Sequence, residues 1–214
     1  GYPNPYRHYP RGPGYVRLSW VFDTLVWKDR AGYTPALARD WVYDPANMIF
    51  TFRLDPKAKW HDGRPVVSAD VAFTLGYYKK HPYQWITVDQ VDRAEAVDDL
   101  TVVFHLKRPY APFISDIGGT MPILPKHIWE KVDDPKKFNT PEAFIGSGPY
   151  MFKDFNKAQG TYLFEAFADY YQGRPKADRL IYIRSGKPLI SLTSGQVDLA
   201  NIQPEMVAPL EKEG

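Results

Sequence analysis

The chain has 214 residues, 44% hydrophobic and 24% charged, the balance of an ordinary folded protein, and its length allows one large domain or two small ones. Its 27 basic residues against 25 acidic ones leave a formal charge of +2, which argues against a nucleic-acid partner, since such binders carry a strongly basic face. Without cysteine, disulfides, thiolate catalysis and cysteine-held metals are excluded, and no apolar run approaches the ~18 residues of a membrane-spanning helix.

Two compositional features stand out. Aromatics reach 15%, with 15 Tyr, 12 Phe and 6 Trp; such side chains fill cores, but Tyr and Trp also make flat binding platforms with a polar handle. The 20 prolines are roughly twice the usual share of about 5% and are scattered singly, which means many fixed turns rather than a disordered tract.

In chain order, residues 1–14 are rich in Gly, Pro, Tyr and Arg and read as an irregular extended segment. They lack the charged start and apolar stretch of a signal peptide, so for an exported protein the signal has been removed. Residues 16–28 are an apolar stretch. Residues 29–34, with Gly32, form a turn, and residues 35–41 read as a short helical turn with proline at its first position. In residues 48–54, Met48, Phe50, Phe52 and Leu54 share one face of a strand, with Thr51 and Arg53 opposite. Residues 101–106 repeat the pattern, with Val102, Phe104 and Leu106 on one face.

Between the two strands lies the loop Lys59-Trp60-His61-Asp62-Gly63-Arg64-Pro65. A helix is predicted from Ser68, whose hydroxyl can cap it, with Asp70 well placed against the helix dipole; Val71, Leu75 and Tyr78 share its face. From Met121 the chain changes character. A helix follows Pro125, and another opens at Thr140-Pro141-Glu142 and stops at Gly146-Ser147-Gly148-Pro149. Strands are predicted over residues 150–155, 161–167 and 180–184. Short helical segments close the chain, the last interrupted by Pro209.

Catalytic chemistry finds little support. The five histidines (His8, His61, His81, His105, His127) are scattered without metal-binding spacing, and Asp62-Gly63 beside His61 is a turn signal in its own right. Gly146-Ser147-Gly148-Pro149 lacks the Gly-x-Ser-x-Gly frame of a nucleophile elbow. Gly118-Gly119 is not part of a phosphate loop, and no cofactor is expected. Asp98-Asp99 and Asp133-Asp134 read as turns. Trp41, Phe50, Phe52, Phe73 and Phe104 are assigned to the core. Tyr15, Trp20 and Trp85, in irregular or boundary segments, suit either packing or ligand contact.

Several segments together resemble the extracellular solute-binding protein family 5, the peptide-, nickel- and oligosaccharide-binding components of ABC importers. They are Phe22-Asp23-Thr24-Leu25-Val26, Pro35-Ala36-Leu37-Ala38 with Trp41, and Phe50-Thr51-Phe52-Arg53-Leu54 through Trp60-His61-Asp62-Gly63-Arg64-Pro65 to Ser68-Ala69-Asp70-Val71. Leu124-Pro125-Lys126-His127, Gly146-Ser147-Gly148-Pro149-Tyr150, Tyr170-Tyr171-Gln172-Gly173 and Ser194-Gly195-Gln196-Val197-Asp198 follow in the family's order. The Trp-His-Asp-Gly-x-Pro loop ahead of an Asp-Val helix is the specific piece; the others are individually weak.

The resemblance implies a mixed α/β fold of the periplasmic-binding-protein type II kind, two-lobed and closing on its ligand by a hinge. It also implies a fragment: residues 1–21 and 126–214 as an incomplete main lobe, and residues 22–125 as an inserted small domain. By segment, it points to Tyr15, Trp20, Trp85, Gly119 and Thr120 as ligand contacts, with no catalytic residue and no metal. The implied ligand is a short peptide, with an oligosaccharide equally suited to stacking on Trp20 and Trp85 and a nickel chelate less so. The implied partner is a membrane permease, in the periplasm or outside the cell, with membrane attachment through a segment absent from this sequence. A hydrolase of such oligomers is the rival from another class and would need a convergent acid–base pair.

Overall fold

In the computed structural model, which describes residues 2–8, 13–83, 86–203, 205 and 207, helix α1 (Pro13–Ser19) leads through residues 20–25 into a hairpin of β1 (Val26–Lys28) and β2 (Tyr33–Pro35). A turn at 29–32 closes it, shorter than the expected 29–34 because Tyr33 and Thr34 join β2: the Asp29 carboxylate accepts from the Ala31 and Gly32 amides, and Gly32 takes φ +132°, a conformation that favours glycine.

Residues 35–41 are not a helical turn. β2 ends at Pro35 and β3 begins at Ala38, running to Asp44. Long-range pairing overrides the local signal: the Leu37 and Ala38 amides donate to the Thr24 and Leu25 carbonyls, and Trp41 lies opposite Phe52. β4 (Ile49–Leu54) and β6 (Thr101–Leu106) follow the predicted alternation, with Phe50, Phe52, Leu54, Val102, Phe104 and Leu106 buried. Met48 is excluded from β4; it occupies the preceding turn at φ 55°. With β5 (Val91–Ala96), which shows no apolar alternation, these strands form an antiparallel sheet in the order β3-β4-β6-β5. Phe113 seals its apolar face, stacked on Phe50 at 4.2 Å. Phe73 and Trp41, assigned to the core from sequence, are only partly buried.

Helix α2 (Ser68–Lys80) packs on β5 and β6 with Val71, Leu75 and Tyr78 inward. Its cap is not the Ser68 hydroxyl, which donates instead to the Asp98 carbonyl. Asp70 does the capping: Oδ2 accepts from the Val67 amide at 3.0 Å. Helix α3 (Lys126–Trp129) starts after Pro125 as expected. The element at Pro141–Phe144 is a 3₁₀ turn without a Thr140 side-chain cap. β7 (Tyr150–Asn156), β8 (Thr161–Ala166) and β9 (Arg179–Tyr182) form the sheet β7-β8-β9.

By contact the chain divides into one unit of residues 1–153 and 164–180 and a second of residues 154–163 and 181–214. The second unit contains the β7–β8 hairpin tip, where Phe155 stacks on Tyr162 at 4.2 Å, and helix α4 (Pro188–Thr193). The predicted break at Pro209 lies outside the described residues.

Most tyrosines near α2 are structural. Tyr6 packs its ring among Tyr77, Tyr78, Tyr83 and Trp129. The hydroxyls of Tyr6, Tyr77 and Tyr78 donate to the carbonyls of His81, Val132 and Pro122 at 2.6, 2.8 and 2.9 Å. Burial pushes the Tyr78 hydroxyl far above its ordinary pKa, so it stays a donor.

Two glycines set how closely the backbone can pack. A Cβ on Gly146 would lie 1.9 Å from the Val21 carbonyl oxygen, and one on Gly148 2.5 Å from that of Trp20; backbone on both sides leaves nothing to yield. Gly76, in α2, would meet nothing within 4 Å. Chemical denaturation should therefore find Gly148→Ala destabilised by about 3 kcal/mol through overpacking, whereas Gly76→Ala should gain about 1 kcal/mol from helix propensity.

Candidate ligand-binding site

The segment 20–26 joins every candidate position that the structure describes except Tyr15. Its carbonyls are taken one after another. Trp20 accepts from the Tyr150 amide, Val21 from Gly148, Asp23 from Ile123, Thr24 from Leu37 and Leu25 from Ala38. Trp20 itself stands edge-on to Tyr150, ring centroids 5.6 Å apart, and remains partly exposed.

At the other end of the segment, Val26 meets the turn that carries Gly119 and Thr120. The chain there is a π-helix, Ile114–Gly118, a rare form frequent at functional sites. The Gly119 amide donates back to Ile114, and a Cβ on Gly119 would stand 3.5 Å from the Val26 carbonyl oxygen. The Thr120 hydroxyl donates to the Ser115 carbonyl at 2.7 Å, which fixes the turn. Gly119 and Thr120 are both partly exposed.

Tyr15 lies on α1, where burial raises its hydroxyl pKa; it acts electrostatically on Tyr83. It therefore sits toward the tyrosine cluster near α2. Trp85 falls outside the described residues. Sequence reading missed Trp27, which is 38% exposed on β1. It lies one residue from Val26 and opposite Thr34 in the hairpin register. Its position at the end of an apolar stretch gave no signal, since strand and side-chain direction emerge only from the pairing with β2.

The Trp-His-Asp-Gly loop is structural in every member. The Trp60 indole N–H donates to Asp70 Oδ2 at 3.2 Å, and Asp70 Oδ1 accepts from the Lys126 amide at 2.9 Å. One carboxylate thus ties the loop, α2 and α3 together. The His61 ring clasps the Gly-Ser-Gly turn: Nε2 donates to the Gly148 carbonyl at 2.9 Å, and Nδ1 accepts from the Gly146 amide at 3.3 Å. Burial lowers its pKa to about 4, so the ring is neutral and its tautomer is set by these bonds. Asp62 pairs with His127 at 2.7 Å, and Gly63 takes φ +88°. Ser147 is fully buried, and its hydroxyl has no hydrogen-bond partner; with His61 committed to backbone, no nucleophile–base pair forms there. Asp98 and Asp134 each accept from amides of their own turns.

Residues 32–214 match the family described as bacterial extracellular solute-binding proteins, family 5 Middle, and the chain belongs to that family. It is 30% identical over 173 residues to the dipeptide-binding protein of Escherichia coli, covering 69% of this chain and 32% of that protein. To an uncharacterised protein of Sinorhizobium fredii it is 34% identical over 170 residues, 75% of this chain and 26% of that one. Among solved structures, the substrate-binding protein CtaP of Listeria monocytogenes superposes with a TM-score of 0.79 at 31% identity, over 94% of this chain and 43% of that one. The oligopeptide-binding protein AppA of Bacillus subtilis, solved in complex with a nonapeptide, superposes with a TM-score of 0.79 at 24% identity, over 91% and 40%; that likeness shows the fold. The chain thus has the mixed α/β fold of periplasmic binding proteins and spans well under half the length of these relatives.

Unfolding measured against pH tests the His61 clasp. His61→Ala strands the Gly148 carbonyl and Gly146 amide, a loss of about 2 kcal/mol. The folded state keeps His61 neutral while the unfolded chain takes up a proton below its ordinary 6.5. The wild-type advantage should therefore be full above pH 6.5 and shrink as the pH falls through about 4.

Proposed function

We propose that this chain is part of the substrate-binding component of an ABC importer, and that it captures short peptides outside the cytoplasmic membrane and delivers them to a membrane permease. The family membership carries the reading. It is supported by the names of two curated relatives, a dipeptide-binding protein and an oligopeptide-binding protein. Capture, not catalysis, is its work: His61, Asp62, Asp98 and Asp134, the groups that a hydrolase would need, are committed to turns and packing.

In this reading Trp20, Gly119 and Thr120 contact the ligand, joined by Tyr15 and Trp85 and by Trp27 on β1. The partly exposed π-helical turn beside Val26 supplies a fixed wall, and the tryptophans supply sequence-tolerant apolar surface. We also infer the division into a main lobe, residues 1–21 and 126–214, and an inserted domain, residues 22–125, with the rest of the cleft on chain beyond these residues. An oligosaccharide is the second ligand for the same aromatic wall. Small polar ligands are a third, since the related AgaA of Agrobacterium tumefaciens was solved with agropinic acid.

Tryptophan fluorescence of the full-length protein, titrated in parallel with pooled short peptides and with cello- and xylo-oligosaccharides, separates these ligands. A saturable change with peptides alone is expected. Trp27→Ala should then weaken binding about tenfold, the equivalent of about 1.4 kcal/mol, with an unchanged melting temperature. A response to oligosaccharides alone would overturn the peptide reading, and product release from either pool would overturn capture without catalysis.

A further inference from the structure

Among the described residues, Asp23 is the one carboxylate buried without a charge partner or a set of amide donors. It is 1% exposed and lies in the middle of the segment 20–26. Only the Tyr171 hydroxyl reaches it in good geometry, donating to Oδ2 at 3.2 Å. Oδ1 has no hydrogen-bond partner, and neither has the buried Tyr170 hydroxyl, although Tyr170 interacts with this same carboxyl. The other buried acid, Asp70, is also shifted upward by burial, but it receives two backbone amides and an indole N–H that oppose the shift. An ionised Asp23 would leave a full charge in a site that offers it tyrosine hydroxyls but no cation and no backbone amide. A neutral acid removes that charge and still uses both tyrosines, its O–H serving the Tyr170 oxygen while Oδ2 accepts from Tyr171.

We propose that Asp23 is a protonated carboxylic acid in the folded protein and forms, with Tyr170 and Tyr171, a proton-sensitive latch that holds the 167–173 turn against the segment 20–26. The turn is otherwise held by the buried Phe167, edge-on to the His61 ring at 5.0 Å, and by a few polar contacts. The Phe167 amide donates to the Pro149 carbonyl, the Gln172 side chain to the exposed Pro35 carbonyl, and Lys59 pairs with Asp169 at the surface. Loss of the proton charges a site with one good donor, and opening the turn to water relieves it. Desolvation by burial raises the Asp23 pKa from 3.8 to about 8, opposed in part by Tyr171 and Tyr170; among the described residues no other titratable or charged group acts on it. Folded Asp23 therefore keeps its proton over a window in which the unfolded chain has lost it. The stabilisation is full below pH 3.8 and falls away as pH rises toward 8.

Carbon-13 NMR of the aspartate carboxyls in the full-length protein tests this directly. One resonance should titrate near pH 8 and vanish in Asp23→Asn. If the high-titrating resonance survives that change and vanishes in Asp70→Asn, or if all aspartates titrate below pH 6, the proposal fails. Trypsin cleavage after the exposed Lys176, compared at equal pH, should accelerate with rising pH in the wild type relative to Asp23→Asn; equal rates would overturn the latch. Should Asp23→Asn not fold, Tyr171→Phe decides. Removing the donor should move the high midpoint further up, and an unmoved or lowered midpoint refutes the assignment.

Discussion

The backbone of residues 20–26 is the constraint on which the first unit depends. Its carbonyls accept from five amides in four stretches: the residue opening β7, the Gly-Ser-Gly turn, the strand-like passage at Ile123, and Leu37 with Ala38 at the start of β3. Each of those stretches must approach main chain to main chain, and buried peptide groups tolerate no unpaired alternative. This explains why glycine is required at 146 and 148, where any side chain would strike the Trp20 and Val21 carbonyls. It also explains why residues 35–41, whose local sequence favours a helical turn, are drawn out straight instead.

Around that backbone the polar side chains divide by environment. Asp70 is surrounded by donors and knits three elements, while Asp23, a comparably buried carboxyl, receives only the Tyr171 hydroxyl in good geometry. His61 is neutral because burial desolvates its ring, and its two nitrogens hold the glycine turn in that form. The aromatic excess divides similarly. Tyr6, Tyr77 and Tyr78 aim their hydroxyls at carbonyls inside the core, whereas Trp20 and Trp27 remain partly exposed.

How much of this was legible in the sequence depended on the range of the interaction. β4 and β6 were readable because each has one buried face, and period-two alternation records that directly. β5 was not: its sequence Val-Asp-Arg-Ala-Glu-Ala buries only Val91, and as an edge strand it exists through its pairing with β6. Ser68 looked like a cap on local grounds and lost that role to Asp70. The Trp-His-Asp-Gly loop was recognisable as a unit, but its purpose lies in partners far along the chain, at Asp70, His127 and Gly148. Among the site residues, Gly119 and Thr120 were reached by resemblance, while Trp27 and the Asp23–Tyr171 pair depend on directions that no spacing rule encodes.

The glycine turn against residues 20–21 also bears on the order of assembly. These partners lie at opposite ends of the first unit's main stretch, so their union closes a long loop, and such contacts form late because the entropy of closure comes before the reward. A nascent chain emerging amino terminus first would carry the Trp20 and Val21 carbonyls open to water until residues 146–150 had been made. Premature, wrongly paired strands are the hazard of that interval. It suits a polypeptide whose folding is deferred until the whole chain is present.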